Sequence, residues 1–127
     1  MTDTTPFGAT HWAIPEGYIP PDDPTKSREL ISHEACCILN AGEVDAQIEI
    51  IIFYSDRDPA GPYKFVVGAR RTQHLRFNDF SDPEPIPVGT NYASTITSSQ
   101  PVIVQHTRLD SRSGKIALMS TMAWTSA

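Results

Sequence analysis

Three stretches carry the side chains capable of chemistry. In 70–78, written as an extended strand, Arg70, Thr72, His74, Arg76 and Asn78 share one polar face, while Leu75 and Phe77 mark the core side. Guanidiniums, an imidazole and an amide in a row suit an anion or a polyhydroxylated ligand, although a solvated strand face has the same composition. In 101–110 the first half, Pro-Val-Ile-Val, is apolar on both faces. The second half puts His106, Arg108 and Asp110 on one face and Gln105 and Thr107 on the other, so this strand leaves the core toward a rim or cleft. In 30–39, Ser32 and Glu34 point one way and His33 the other, inside an otherwise apolar run. Polar groups in apolar surroundings need partners, so these either satisfy one another or await a ligand.

Most catalytic chemistries find no support in these residues. His33, His74 and His106 sit on separate strands and could converge on a transition metal, but no pair has a short ligand spacing such as His-x-His. Asp56-x-Asp58 followed by Gly61 resembles the opening of a calcium loop without its downstream bidentate Glu, and Pro59 and Pro62 favour a structural turn. There is no Gly-x-Ser-x-Gly elbow and no phosphate-loop or dinucleotide pattern. Glu34 with Asp110 is only a nominal pair of carboxylates for glycoside chemistry. The expectation is a binding or interaction module that is not an enzyme, with no catalytic residue, metal or cofactor. Trp12, Tyr18 and Tyr92 stand beside turns, where a ring stacks on a sugar, seals a subunit contact or joins the core; Trp124 caps the last strand or marks a docking tail.

The elements that must position these groups are strands. Short runs rich in Ile, Val, Thr, Phe and Tyr lie between 11 prolines and 7 glycines, which is an all-β pattern. Strands are expected near Thr10–Ile14, Leu30–Leu39, Asp45–Tyr54, Tyr63–Val67, Arg71–Asn78, Asn91–Ser98, Pro101–Leu109 and Ile116–Ala123. Asn40-Ala41-Gly42, Asp58 to Pro62 and Asp110 to Lys115 supply the turns. The segment Pro24 to His33 lacks the consistent apolar face of a helix. In 45–54, Ala46, Ile48, Ile50 and Ile52 form one apolar stripe against Gln47 and Glu49, but Ile51 and Phe53 make the second face apolar as well. A cover is needed there, and Ile51 and Phe53 are the candidate oligomer interface.

The chain has 127 residues, enough for one domain, and a formal net charge of −5, which argues against a general grip on DNA despite Arg70, Arg71 and Arg76. No window holds the ~18 uninterrupted apolar residues of a spanning helix. Met1 to Thr10 lacks the pattern of a secretory signal, so the expected compartment is the cytoplasm. Cys36 and Cys37 are adjacent; in a strand they point to opposite faces, so both are expected as reduced structural thiols.

Taken together, several motifs resemble the sensory rhodopsin transducer family, small proteins that pair with a microbial sensory rhodopsin. They are Trp12-Ala-Ile-Pro-Glu-Gly-Tyr-Ile-Pro20, Ile31-Ser-His-Glu34, Cys37-Ile-Leu-Asn-Ala-Gly42, Tyr54-Ser-Asp56, Gly61-Pro-Tyr63, Arg70-Arg-Thr72 with His74 and Arg76-Phe-Asn-Asp79, Pro85-Ile-Pro87, and Val104-Gln-His-Thr-Arg-Leu-Asp-Ser-Arg112. Their order and spacing cover the chain from Trp12 to about Thr121. The resemblance implies a single-domain β-sandwich of jelly-roll character with about eight strands, assembled as a homotetramer. It also implies non-enzymatic signal transduction at the cytoplasmic face of a rhodopsin, and, in the wider superfamily, binding of a small polar or sugar-like ligand. The ligand residues it implies are His33, Glu34, Asn40, Arg71, His74, Arg76, Asn78, Gln105, Arg108 and Asp110. Strand parity puts Arg71 opposite His74 and Arg76. The expected organisation is a variable arm at 1–9, the sandwich at 10–124 and a short tail at 125–127. The arm and the Pro21 to Glu29 loop are the segments that match the family least.

Overall fold

The computed structural model describes residues 5–126, and it is all-β. The strands are β1 (Ala9–Tyr18), β2 (His33–Asn40), β3 (Ala46–Tyr54), β4 (Ala60–Val67), β5 (Arg71–Arg76), β6 (Asn91–Asp110), β7 (Ala117–Met122) and β8 (Trp124–Thr125). A 3₁₀ turn at Phe77–Asp79 follows β5. Every pairing is antiparallel. One sheet runs β4-β3-β6-β1-β8 and uses the first half of β6. The other runs β5-β2-β6-β7 and uses the second half. The result is a sandwich of jelly-roll character in which β6 belongs to both layers.

The long β6 differs from the two strands expected at Asn91–Ser98 and Pro101–Leu109. The chain does not turn there but crosses between sheets. Pro101 has no N–H to give a ladder, and Ser98 Oγ serves backbone groups at the crossing, donating to the Gln100 carbonyl at 2.6 Å and accepting the Gln100 N–H at 3.3 Å. The start of β1 is fastened onto the same point. Trp12 Nε1 donates to the carbonyls of Ala9 and Val102, each at 3.0 Å. Gly8, at φ 101°, passes so close that a Cβ would lie 2.2 Å from the Val102 carbonyl oxygen, so only glycine fits.

The stripe of Ala46, Ile48, Ile50 and Ile52 is buried as the alternation requires. It packs in one apolar cluster with Val102 at the crossing of β6 and with Cys36, Ile38, Leu75 and Val104 from the other sheet. Each fully buried Ile contributes about 1.5–3 kcal/mol. Phe77 and Phe80, from the segment after β5, stack on Tyr92 and Tyr63 within the same cluster.

Several expected strands have different ends: β1 runs on to Tyr18, past the expected end at Ile14, and β4 begins at Ala60, before the expected start at Tyr63. β2 starts at His33 because Leu30 and Ile31 are turned, both N–H groups donating to the Ser27 carbonyl at 3.0 Å. The turn is held by Asp22, whose carboxylate accepts the Ser32 N–H at 2.8 Å and the Lys26 ammonium at 2.9 Å. β5 stops at Arg76, so Asn78 leaves the strand. The last strand divides at Ala123, whose N–H donates to Val104, and β8 crosses to pair with β1. Residues 1–4 of the expected arm and residue 127 of the expected tail lie outside the described residues. Among the described residues no helix is long and apolar enough to cross a membrane.

Candidate functional site

The polar centre of the molecule is Glu34. The parity that puts Cys36 and Ile38 in the core puts Glu34 there too, and it is fully buried. Its Oε1 accepts the Tyr18 N–H and the Tyr92 hydroxyl, both at 2.9 Å. Its Oε2 accepts His106 Nε2 at 3.1 Å and Arg108 Nε at 2.7 Å. Four donors fill the lone pairs of one carboxylate, which is how a buried charge becomes tolerable. Burial would raise the Glu34 carboxyl, but the bonds from His106 and Arg108, the His106 ring and the Tyr18 N–H together hold it below its ordinary value. Arg108 also donates to Glu16 at the rim, at 2.7 Å. Tyr92 is driven well above the usual phenol range by burial and by the carboxylate it serves. A carboxylate so fully engaged cannot act as a nucleophile or base, so the network is an electrostatic lock between β1, β2 and β6.

The ten expected ligand residues fall into separate places. Glu34 and Arg108 meet in the lock. His33, His74, Arg76 and Gln105 lie instead on the outer face of the β5-β2-β6-β7 sheet, where the register sets His74, Cys37 and Gln105 in one cross-strand row. Arg76, Ala35, Thr107 and Ser120 form the next row. Gln105 donates to Ser120 at 2.8 Å, and Arg76 donates to the Arg28 carbonyl at 2.7 Å. His33 is buried at the end of this face with Nδ1 2.8 Å from the Ile31 carbonyl. Burial, then Arg76, His74 and Arg28, hold the His33 imidazole below its ordinary value, although the Ile31 carbonyl pulls the other way.

The remaining four do local work. Asn40 is fully buried and donates to the carbonyls of Val44, Val67 and Gly68 at 2.8, 3.1 and 3.3 Å, while its Oδ1 accepts the Gly42 N–H at 3.0 Å. It closes the β2–β3 turn onto the end of β4. Asn78 bridges back to β2, accepting the Glu34 N–H at 3.1 Å and donating to the Ser32 carbonyl at 3.2 Å. Arg71 is exposed and, among the described residues, donates to its neighbour's carbonyl, and Asp110 is paired with Arg112 at 2.8 Å. Arg70, at φ 57°, pairs with Glu43 at 2.9 Å.

His33 and His74 face out of the sheet and His106 faces in, so the three imidazoles do not converge. Among the described residues no group of three or more His, Cys, Asp or Glu could hold a metal ion. Asp56 is taken by Arg57 at 3.0 Å, in the turn that leads into β4. Trp12 belongs to the core, and Tyr92 belongs to the lock. Sequence reasoning had placed His106 in a polar row without naming it a site residue, and had not singled out Glu16. His106 was within reach, since it shares parity with Val102 and Val104; nothing in the sequence ties Glu16 to Arg108.

The fold is an all-β sandwich whose buried carboxylate is held by an ion-pair network, with polar rows on one outer face. The family model described as Anabaena sensory rhodopsin transducer matches residues 7–125, and the chain belongs to that family. It is similar to the solved Anabaena sensory rhodopsin transducer, with 54% identity and a TM-score of 0.73 over 80% of this chain and 99% of that one. It is also similar to the crystal structure of Thermotoga maritima 1070, with 33% identity and a TM-score of 0.79 over 92% of this chain and 94% of that one. No curated protein matches. By family the chain is a non-enzymatic signal transducer.

Proposed function

We propose that this protein carries the signal of a microbial sensory rhodopsin by binding the receptor's cytoplasmic face as a homotetramer in the cytoplasm. Membership of the transducer family along residues 7–125 carries the reading. Charge supports it. Cytoplasmic loops of membrane receptors are rich in Lys and Arg, and a chain of net charge −5 is drawn to such a surface. Self-association is supported by the outer face of the β4-β3-β6-β1-β8 sheet, where Phe53 is 39% exposed and Trp124 61% exposed. The register lines up Trp124, Ala13, Thr95 and Ile51 in one row across that face. The folded unit expected at 10–124 takes in Ala9 and Thr125 as well, since β1 and β8 include them, and a receptor that reads the N-terminal arm or the Pro21 to Glu29 loop would take its specificity from those segments. The test is a pull-down with the host's rhodopsin in lipid nanodiscs, in darkness and under illumination. Association that changes with light supports the reading, and no association in either state overturns it.

A second reading, a sensor for a polar or sugar-like ligand, is favoured by one observation. His33, His74, Arg76 and Gln105 share the outer face of the second sheet, and among the described residues Arg76 forms no close ion pair, its guanidinium donating to the Arg28 carbonyl with Asp79 and Glu29 further off. A thermal-shift scan against sugars and organic acids tests it. A stabilising ligand whose effect disappears in Arg76→Ala supports this face as the site; a hit unaffected by that change places binding elsewhere.

A further inference from the structure

The first sheet ends at β4, and the free side of that strand carries unused backbone groups. On β3, Gln47 donates its N–H to Ser99 Oγ at 2.8 Å, on the side of β6. Backbone groups alternate from side to side along a strand, so Glu49 and Ile51 also face β6, while Ala46, Ile48 and Ile50 face β4. Their register partners Val67, Phe65 and Tyr63 complete the β3–β4 ladder. Lys64 and Val66 are left with their N–H and C=O groups directed away from the sheet.

A cleft of about 540 Å³ adjoins this edge, and its other wall is the segment that follows β5. Phe80 anchors that segment: it is 4% exposed, and its ring packs on Tyr63, Phe65 and Phe77 at centroid distances of 5.1, 5.0 and 4.9 Å. The Phe80 N–H donates to the Phe77 carbonyl at 3.2 Å, but beyond it the backbone of 81–83 makes no hydrogen bond among the described residues. Phe65 and Phe80 give the cleft an apolar lining. A second cleft, of about 310 Å³, includes Gln47, Glu49, Lys64 and Val66 from the outer face of the same two strands. Two hollows therefore adjoin one unpaired edge. The charges beside them are mainly negative. Asp79 and Asp82 line the larger cleft with one cation, Lys64, which lies 4.0 Å from Glu49. Arg28 holds Asp79 at 2.7 Å, whereas Asp82 has no ion pair among the described residues.

We propose that the β4 edge binds an extended, basic segment of a protein partner by strand addition. The segment continues the sheet by pairing with Lys64 and Val66, its apolar side chains lie against Phe65 and Phe80, and its cations meet Asp82 and Glu49. The open backbone groups select this occupant. A compact molecule uses one or two of them, whereas a peptide strand matches their two-residue spacing and turns alternate side chains into the two hollows. A volume of about 540 Å³ equals roughly eighteen waters' share of liquid, room for about two or three residues. A second copy fits worse. It brings a net charge of −5 to an acidic surface, and it sets two Lys64 ammoniums on one short edge, the device that keeps sheet edges from self-pairing. The proposal goes beyond the receptor reading and does not depend on it.

The test is an NMR titration of the intact protein with three peptides: acetyl-Lys-Val-Lys-Phe-Lys-Val-Lys-amide, the same peptide with its backbone amides N-methylated, and a version with Glu for every Lys. Before peptide is added, the Lys64 and Val66 amides should exchange quickly with solvent and the Phe65 amide slowly. The basic peptide should give saturable shifts at Lys64 and Val66 and slow the exchange of both about tenfold or more. The N-methylated peptide lacks the donors that strand addition needs, the Glu peptide has the wrong charge, and neither should bind. Val66→Pro, at a residue 50% exposed, removes a free-side N–H without touching the β3 ladder and should weaken binding about tenfold. Asp82→Asn should weaken it up to about fivefold. The peptide comparison uses the unaltered protein and stands even if Val66→Pro does not fold. The proposal is overturned by the absence of saturable shifts, by equal binding of the N-methylated or Glu peptide, or by undiminished affinity in a folded Val66→Pro. Slow exchange at Lys64 and Val66 before peptide is added would show that a second copy already covers the edge, and overturns it too. None of these outcomes bears on the nanodisc pull-down.

Discussion

Arg108 holds Glu34 from the solvent side: its Nε lies 2.7 Å from an oxygen of the fully buried carboxylate, while the Arg108 side chain is 24% exposed. The two partners are therefore unequal. Removing Arg108 strands a charge that water cannot reach, whereas removing Glu16, the other carboxylate on the same guanidinium, strands nothing buried. Arg108→Met is expected to cost about 3 kcal/mol or more, and Glu16→Ala about 1 kcal/mol or less. Urea unfolding monitored by Trp fluorescence measures both. Equal losses would show that His106, Tyr92 and the Tyr18 N–H suffice to hold Glu34 without the guanidinium.

Acid should weaken the fold in two stages. The Glu34 carboxyl is held below its ordinary value of 4.5, so its stabilising share is present above that pH and is lost as pH falls through the folded value. The His33 imidazole is held below its ordinary value of 6.5. The unfolded chain therefore binds the His33 proton first, and stability declines below 6.5 before the carboxylate limb begins. Midpoints of urea unfolding against pH should fall across both windows. His33→Asn should flatten the upper window, and Glu34→Gln should flatten only part of the lower, because Asp22, bonded to Lys26 and Ser32, is also held down. A His33→Asn profile identical to that of the unaltered protein would remove His33 from this account.

The architecture was legible in the chain because period-two alternation survives wherever one strand face is buried. Ala46, Ile48, Ile50 and Ile52 needed no partner to be assigned to the core. The parity of Glu34 and of His106 with Arg108 was equally clear. What alternation cannot give is which strands neighbour one another, and the lock exists only because β2 and β6 pair with Glu34 opposite Arg108. The uninterrupted β6 was hidden for another reason: Pro101 reads locally as a break, and only the second sheet explains why the chain runs straight past it. Asn40 and Asn78 resembled ligand residues because amide side chains that knit carbonyls together have the same composition as amides that meet a ligand.

Asn40 should prove structural. Its side chain serves three carbonyls and one N–H at a position without solvent access, so Asn40→Ala leaves buried acceptors empty and is expected to cost about 2–3 kcal/mol. Ligand-induced stabilisation, measured as the thermal shift between free and saturated protein, should be unchanged by Asn40→Ala. A lost shift with little change in the unliganded midpoint would instead put Asn40 in a binding site.

Phe53 separates assembly from folding. It lies on the outer face of β3 next to Ala93 on β6, away from the buried stripe, so Phe53→Glu leaves the core intact. Light scattering after size exclusion should find a tetramer for the unaltered protein and a smaller species for Phe53→Glu, with the β-sheet circular dichroism of both the same. A tetramer that survives Phe53→Glu would move the subunit contact off this face.

The two thiols should react at different rates although they are neighbours. Cys36 faces the core, where burial and then the adjacent Cys37 push its thiol up to about 12; Cys37 faces the outer row beside His74 and Gln105, and burial raises it less far. The thiolate is the reacting form, so at neutral pH both are slow, but Cys37 is the one that alkylating agents can reach. Mass spectrometry after limited treatment of the folded protein with iodoacetamide should find the label on Cys37 and none on Cys36, and urea should expose both. Because alternation turns the two side chains to opposite faces of β2, oxidants should yield no Cys36–Cys37 bond in the folded state. Early labelling of Cys36 would mean that β2 opens locally, and the Glu34 lock two residues away would then be weaker than its four hydrogen bonds imply.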